Sequence, residues 1–363
     1  MANSEEPKNQ HSGSTAVPQG GQSTPEGFVP AEAERRRSWF WPIVNWAVIV
    51  VVLWAVRRTL VGAWRELGQA EWRWAPEWLG VAAVGYLAGL IPAGFFWYLT
   101  LRRLGQKVPL LPTFRAYLAG TVGKYIPGKF MVIILRTAFL CGEGISPAMG
   151  FAGVLYETLT MMSVGAFWGG CFLLWHGRVL GLERVYLLVA AGMFLAATLT
   201  TFPPFFRALM KTVLKGVAGM DPVKLSECLS QIKLKLVVAG WLLMSVVWIF
   251  WGASLVAVLA ASGQVELDWA KDLPTAVAAT ALATVVGFAA VAVPGGLGVR
   301  EAALAAILVP VLADRTAHPN LLAIVSAGLL RIIWAVVEVL LFVISAIMTR
   351  SGLMSPPQRP ASR

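Results

Sequence analysis

Residues 121–136 read TVGKYIPGKFMVIILR, an apolar run that carries Lys124, Lys129 and Arg136 and is interrupted by Pro127 and Gly128. Proline cannot continue a helix without losing a backbone hydrogen bond, and glycine lets the chain turn closely. A helix that restarts near Lys129 points free N–H groups into its surroundings, and such an end favours an anion such as a phosphate. Lys129 and Arg136 stand seven residues apart, two helical turns, and so share a face. A second stretch, VAVPGGLGVREAAL at 291–304, has a similar layout: Pro294 and Gly295 break the run, Gly296 and Gly298 allow close packing, and Arg300 and Glu301 follow. As successive helical residues Arg300 and Glu301 point about 100° apart. One can therefore face a cavity while the other holds a neighbour.

Three further ionisable residues lie inside apolar segments: Glu157, Arg331 and Glu338. A charge at membrane depth is costly unless it is paired or lines a polar route. Glu157 is expected to approach an arginine, either Arg136, Arg300 or Arg331. Arg331 and Glu338, seven apart, share one face of their helix. Three uses stay open for the set: a cavity that takes a charged headgroup, purely structural ion pairs, and, for Lys124 and Lys129, snorkelling to nearby headgroups. Tyr125, Tyr156 and Trp334 are candidates to line an amphiphile path or simply to pack.

The elements that position these residues are read from composition. Of 363 residues 57% are hydrophobic and 13% charged, with a mean hydropathy of +0.69. A soluble sphere of this size cannot hide that much apolar surface. The chain has sixteen tryptophans, eight of them between Trp39 and Trp78, the residue type enriched at membrane interfaces. Behind the formal charge of +11, many of the basic groups fall in the tail or in short membrane-flanking loops, where anionic headgroups are nearer partners than nucleic acid. Cys141, Cys171 and Cys228 are isolated and offer neither a metal spacing nor a disulfide framework. No metal or cofactor is expected.

Residues 1–38 are polar and rich in Gly, Pro, Ser and Gln, a disordered tail that ends in Arg35, Arg36 and Arg37 and is expected on the cytoplasmic side. Residues 39–350 form the membrane region, and 351–363 a short cytoplasmic tail. A span needs about 20 residues, which gives candidates at 41–60, 78–99, 148–175, 185–206, 236–261 and 321–349, with broken apolar regions at 114–140 and 273–313. The basic stretches around Arg102, Arg103, Lys107 and Arg115 and from Arg207 to Lys235 fit the cytoplasmic face if each broken region enters and leaves on one side. The expectation is an all-α polytopic membrane protein of six to eight spans with two Pro-Gly-broken re-entrant helix pairs. Its two halves would form an inverted repeat, as in transporters whose sites lie at broken helices.

The KYIPGKF stretch at 124–130 with Arg136 after it, and PGGLGVRE at 294–301, resemble the flippase-like transmembrane region of the lysylphosphatidylglycerol synthase family, over roughly residues 40–350. Lys124, Pro127, Gly128 and Arg136 match the first motif; Pro294, Gly295, Gly296, Gly298, Arg300 and Glu301 match the second. The resemblance implies translocation of a lipid between leaflets, without the soluble domain that attaches an amino acid in two-part members. The expected partner is a phospholipid or an isoprenoid or glycolipid substrate in the inner (cytoplasmic) membrane. Oligomerisation and a partner from lipid biosynthesis stay open. No Walker motif is present, so ATP bound to this chain is not the driver. Two other classes remain: a membrane-embedded lipid-modifying transferase, and a non-catalytic scaffold of an envelope or lipid system.

Overall fold

The computed structural model describes residues 74–125, 131–140, 145–176, 183–214, 222–290 and 296–350. All of them belong to the compact unit Asn45–Arg363. The apolar run 41–60 and the tails read at 1–38 and 351–363 lie outside the described residues. The helices are α1 (Glu77–Arg103), α2 (Leu110–Gly120), α3 (Met131–Ala138), α4 (Pro147–His176), α5 (Glu183–Thr201), α6 (Pro203–Val213), α7 (Pro222–Ser230), α8 (Leu234–Ala261), α9 (Trp269–Ala289), α10 (Val299–Leu312) and α11 (Pro319–Arg350). A 3₁₀ turn, Thr121–Tyr125, follows α2 directly.

Helices α1 and α8 form the central pair, tied at one end by the Ala75 amide donating to the Ala261 carbonyl at 3.0 Å. Trp97, Trp248 and Trp334 are almost fully enclosed between helices. The outer faces carry apolar side chains such as Val84 and Ile91 on α1, Leu242 on α8 and Ile344 on α11, all exposed. That is the surface a bundle presents to lipid, where close packing rather than an inside-outside contrast joins the helices. Two long helices pack closely at Gly252 of α8, where an added Cβ would lie 2.7 Å from the Val277 backbone of α9.

Four described helices are long and apolar enough to cross a membrane: α1, α8, α9 and the stretch Pro319–Met348 of α11. A fifth is reached if the bent pair Ala191–Thr201 and Pro203–Val213, at 67°, is one span. This corrects the expected six to eight spans. The run at 148–175 does fold as the 30-residue α4, which is not among the four. The run at 185–206 is cut at Phe202, because Pro203 starts a new helix in another direction.

The two re-entrant pairs are corrected as well. The one bent pair among the described residues is at Phe202, and neither broken region provides another. Asp268 caps α9, its side chain accepting from the Ala270 amide at 3.1 Å. The helix therefore starts at Trp269, ahead of the apolar window, and its 21 residues suffice to cross alone. In the first region α2 and α3 have 11 and 8 residues, joined through the 3₁₀ turn and a segment outside the described residues. Without the pairs, the inverted-repeat assignment loses its basis.

The contact at Gly252 yields a stability test. Gly252→Ala forces its methyl against the α9 backbone and is expected to cost about 1–3 kcal/mol, read as a lower thermal midpoint of the detergent-purified protein. Gly192→Ala, where nothing lies within 4 Å of the added Cβ, leaves the midpoint unchanged or raises it.

Candidate functional site

The described site residues fall into three buried groups. The first is built on Arg136, in the last turn of α3, and Glu157, in the middle of α4. Arg136 Nη1 donates to Glu157 Oε2 at 2.9 Å, and the Tyr117 hydroxyl of α2 donates to Oε1 at 3.1 Å. The guanidinium lies over the Tyr117 ring, 3.9 Å from its centroid, and 5.4 Å from the Trp97 ring of α1. Gly120 makes room for this: a Cβ there would lie 2.3 Å from Arg136 Cγ. Both charged side chains are buried, at 5% and 1% exposure, so each is the other's main compensation.

In the second group Glu338 of α11, fully buried, accepts from the Lys124 ammonium and from the Tyr86 hydroxyl of α1, both at Oε1. Tyr86 is held in place by rings and hydrogen bonds from α8 and α11. It stacks on Trp334 at 4.3 Å and lies 5.4 Å from Trp251. Trp251 Nε1 donates to the Tyr86 carbonyl at 3.3 Å. Trp334 Nε1 donates to Ser254 Oγ at 3.1 Å, and Ser254 in turn donates to the Ala82 carbonyl at 2.7 Å.

The third group begins where α10 starts. Gly298 has φ of +80°, a region that favours glycine, and its amide donates to Glu301 Oε2 at 2.6 Å. Arg331 Nε approaches Glu301 Oε1 at 3.3 Å, and the Arg331 guanidinium lies 4.9 Å from the Tyr125 ring centroid. Arg300, on the neighbouring position, turns instead to the face of Trp334, 4.4 Å from its centroid. A small cavity is lined by Arg300, Glu301, Leu304, Ala327, Leu330 and Arg331. Trp334, stacked on Tyr86 and beneath Arg300, joins the second and third groups.

Glu157 thus meets Arg136, of the three arginines open to it. Lys124 and Arg136, from the two sides of the Pro127 break, go to different carboxylates on different helices. Tyr125 and Trp334 lie against the charged groups, whereas Tyr156 packs edge-on against Phe206 at 4.6 Å. Lys129, Pro127, Gly128, Pro294 and Gly295 lie outside the described residues. Gly296 has φ of +66°, and a Cβ on it would meet the Gly287 carbonyl at 2.8 Å. Sequence reasoning missed Tyr86 and Tyr117, the hydroxyl donors to Glu338 and Glu157. The chain has six tyrosines, and a hydroxyl inside an apolar helix was the available signal. Away from the spans, Arg315 is bound to Asp272 at 2.6 and 3.0 Å. That hydrogen bonding holds its guanidinium above its ordinary pKa and fastens the end of α10 to the start of α9.

Apolar outer faces around buried, paired charges define a multi-pass, all-helical membrane protein. A family model described as the lysylphosphatidylglycerol synthase transmembrane region matches residues 39–341, and the chain belongs to that family. No match is found among curated proteins. Among the described residues no group of three His, Cys, Asp or Glu side chains is placed to hold a metal ion.

The Arg136–Glu157 pair is open to a double-mutant cycle. Glu157→Gln strands a buried guanidinium and is expected to destabilise the folded protein by about 3–5 kcal/mol. The double variant E157Q/R136Q removes both charges and recovers a substantial part of that loss. Thermal midpoints of purified E157Q, R136Q, the double variant and the parent check this.

Proposed function

We propose that this chain moves a polar-headed, phosphate-bearing lipid from one leaflet to the other. The observation that carries the reading is the buried assembly of Lys124, Tyr86 and Glu338 with Arg300, Glu301 and Arg331, set inside a bundle whose outer faces are apolar. A lipid's tails can stay in the bilayer while only its head needs a polar route. Three cations and two carboxylates along such a route replace part of a head's hydration. Membership of the transmembrane-region family supports the same reading.

In this reading Lys124, Arg300, Glu301, Arg331 and Glu338 touch the passing head, and Arg136 and Glu157 position α3 against α4. Lys129 contributes a further cation at the Pro127 break. The protein resides in the inner (cytoplasmic) membrane with both termini cytoplasmic, which fits Arg35, Arg36 and Arg37 before the first apolar run. Exchange is passive or coupled to an ion gradient or the membrane potential.

The test is leaflet exchange of fluorescent lipids in proteoliposomes, scored per folded protein against a panel of phospholipids, polyprenyl-phosphate lipids and aminoacylated lipids. At least one phosphate lipid is expected to exchange well above the rate of empty vesicles. Glu338→Gln, which weakens the hold on Lys124, is expected to slow it at least tenfold. A parent protein that accelerates none of the panel sinks the proposal and favours a scaffold.

A further inference from the structure

Two buried carboxylates each hold a cation, and they hold it in different ways. Glu157 has a donor on each oxygen, Arg136 at Oε2 and Tyr117 at Oε1, and its arginine lies over the Tyr117 ring. An arginine keeps its charge at any physiological pH, so that pair is closed. Glu338 has both of its donors, Lys124 and Tyr86, on Oε1. Its Oε2 is buried and receives no well-formed hydrogen bond among the described residues, the Tyr125 hydroxyl lying beside the carboxylate without completing one. The Glu338 side chain is fully buried, whereas that of Lys124 is 30% exposed. A lysine ammonium is a hydrated point charge on a flexible stem, and it gives up a contact more readily than an arginine fork does.

We infer that Glu338 is a proton-binding site, neutralised alternately by Lys124 and by a proton, so that lipid exchange takes up one proton each time Lys124 leaves; the inference rests on the lipid reading above. When Lys124 turns from Glu338 to an anionic head, only the Tyr86 hydroxyl stays on the carboxylate. A carboxylate without its counter-charge in an apolar interior takes a proton instead of staying ionised. The proton goes to Oε2, the oxygen with unused lone pairs, and arrives from water on the side where Lys124 is exposed. One O–H bond forms and no other bond changes. The Lys124–Glu338 ion pair is replaced by a neutral acid and a lysine–head ion pair, so a singly charged head and one proton enter together and the interior keeps its net charge. When Lys124 returns, the proton leaves.

The other ionisable groups around the site set the direction of the response. Tyr86 of α1 and Tyr125 of the 3₁₀ turn bring hydroxyls. Arg300 of α10 lies on Trp334, and Arg331 of α11 reaches Glu301 of α10. Tyr117 of α2 and Arg136 of α3 are on Glu157, and Arg115 is the remaining ionisable residue of α2. Helix α8 has only Lys235, in its first turn. Arg300 and Arg331 favour the ionised carboxylate. The proton therefore competes with them as well as with Lys124, and acid pH favours the release of Lys124.

The test uses the full chain. Infrared spectra of the detergent-purified protein near neutral pH are compared for the parent, Lys124→Met and K124M/E338Q. K124M removes the counter-charge, so the carbonyl stretch of a neutral carboxylic acid is expected to appear in it and to vanish in K124M/E338Q. In proteoliposomes with fluorescent phosphatidylglycerol, exchange by the parent is expected to rise at least fivefold from about pH 8 to about pH 6, whereas E338Q, fixed in the neutral form, is slow and flat. Lys124→Arg keeps the charge and grips both carboxylate oxygens, and is expected to move the pH response towards acid by about one unit or more. It serves as the deciding variant where K124M does not fold. The proton site is overturned if folded K124M shows no such band over K124M/E338Q, if a parent that exchanges the lipid does so at one rate at both pH values, or if the K124R response is unshifted. Exchange that does not depend on pH leaves lipid translocation standing. The band in K124M, with a parent that exchanges no lipid, supports the proton site and overturns translocation.

Discussion

The structure depends on one constraint: a charge taken into a helical bundle within lipid must meet its counter-charge there. Glu157 and Glu338 fulfil that role for α3 and for the 3₁₀ turn that follows α2. One holds Arg136 and the other Lys124, from α4 and α11 respectively. The end of α2 and the end of α3, two helices too short to cross a membrane by themselves, are thus each fixed by a helix that runs deep through the bundle.

The tyrosines complete this scheme. An ion pair leaves carboxylate lone pairs unused, and in an apolar interior each unused lone pair is a cost. Tyr117 brings its hydroxyl to the Glu157 oxygen that Arg136 does not engage, and Tyr86 adds a second donor at the Glu338 oxygen that Lys124 engages, each presenting a ring to neighbouring aromatics. Trp97 and Trp334 take corresponding places beside the two groups, one near the Arg136 guanidinium and the other beneath Arg300. The indole N–H of Trp334 is satisfied by Ser254, so its placement costs no hydrogen bond.

Much of this was legible in residue types and little of it in residue distances. Glu157, Arg331 and Glu338 stand out because charges are rare inside apolar runs, and Arg300 and Glu301 separate as adjacent helical positions must. Their partners were not legible: Tyr86 and Glu338 lie 252 residues apart, and no local pattern announces that contact. The span count failed for physical reasons. An apolar window marks where lipid-compatible side chains are, not where a helix starts, so the Asp268 cap that lengthens α9 fell outside it. Pro203 and Pro204 were visible in the run 185–206, and a proline in the first turn of a helix is as much a beginning as an end. Hydropathy treats the run as continuous across the corner.

Helix α11 carries Arg331, Trp334 and Glu338 at intervals of three and four residues, along a single stripe. In turn they engage Glu301 of α10, Tyr86 of α1 with Ser254 of α8, and Lys124 of the 3₁₀ turn together with the Tyr86 hydroxyl. The stripe works as the bitting of a key. A slide of one helical turn, 5.4 Å, or a rotation of one residue, 100°, takes all three teeth out of their wards together. No setting of the helix keeps one engaged and frees the other two, so whatever turns this lock must lift every pin in the same movement.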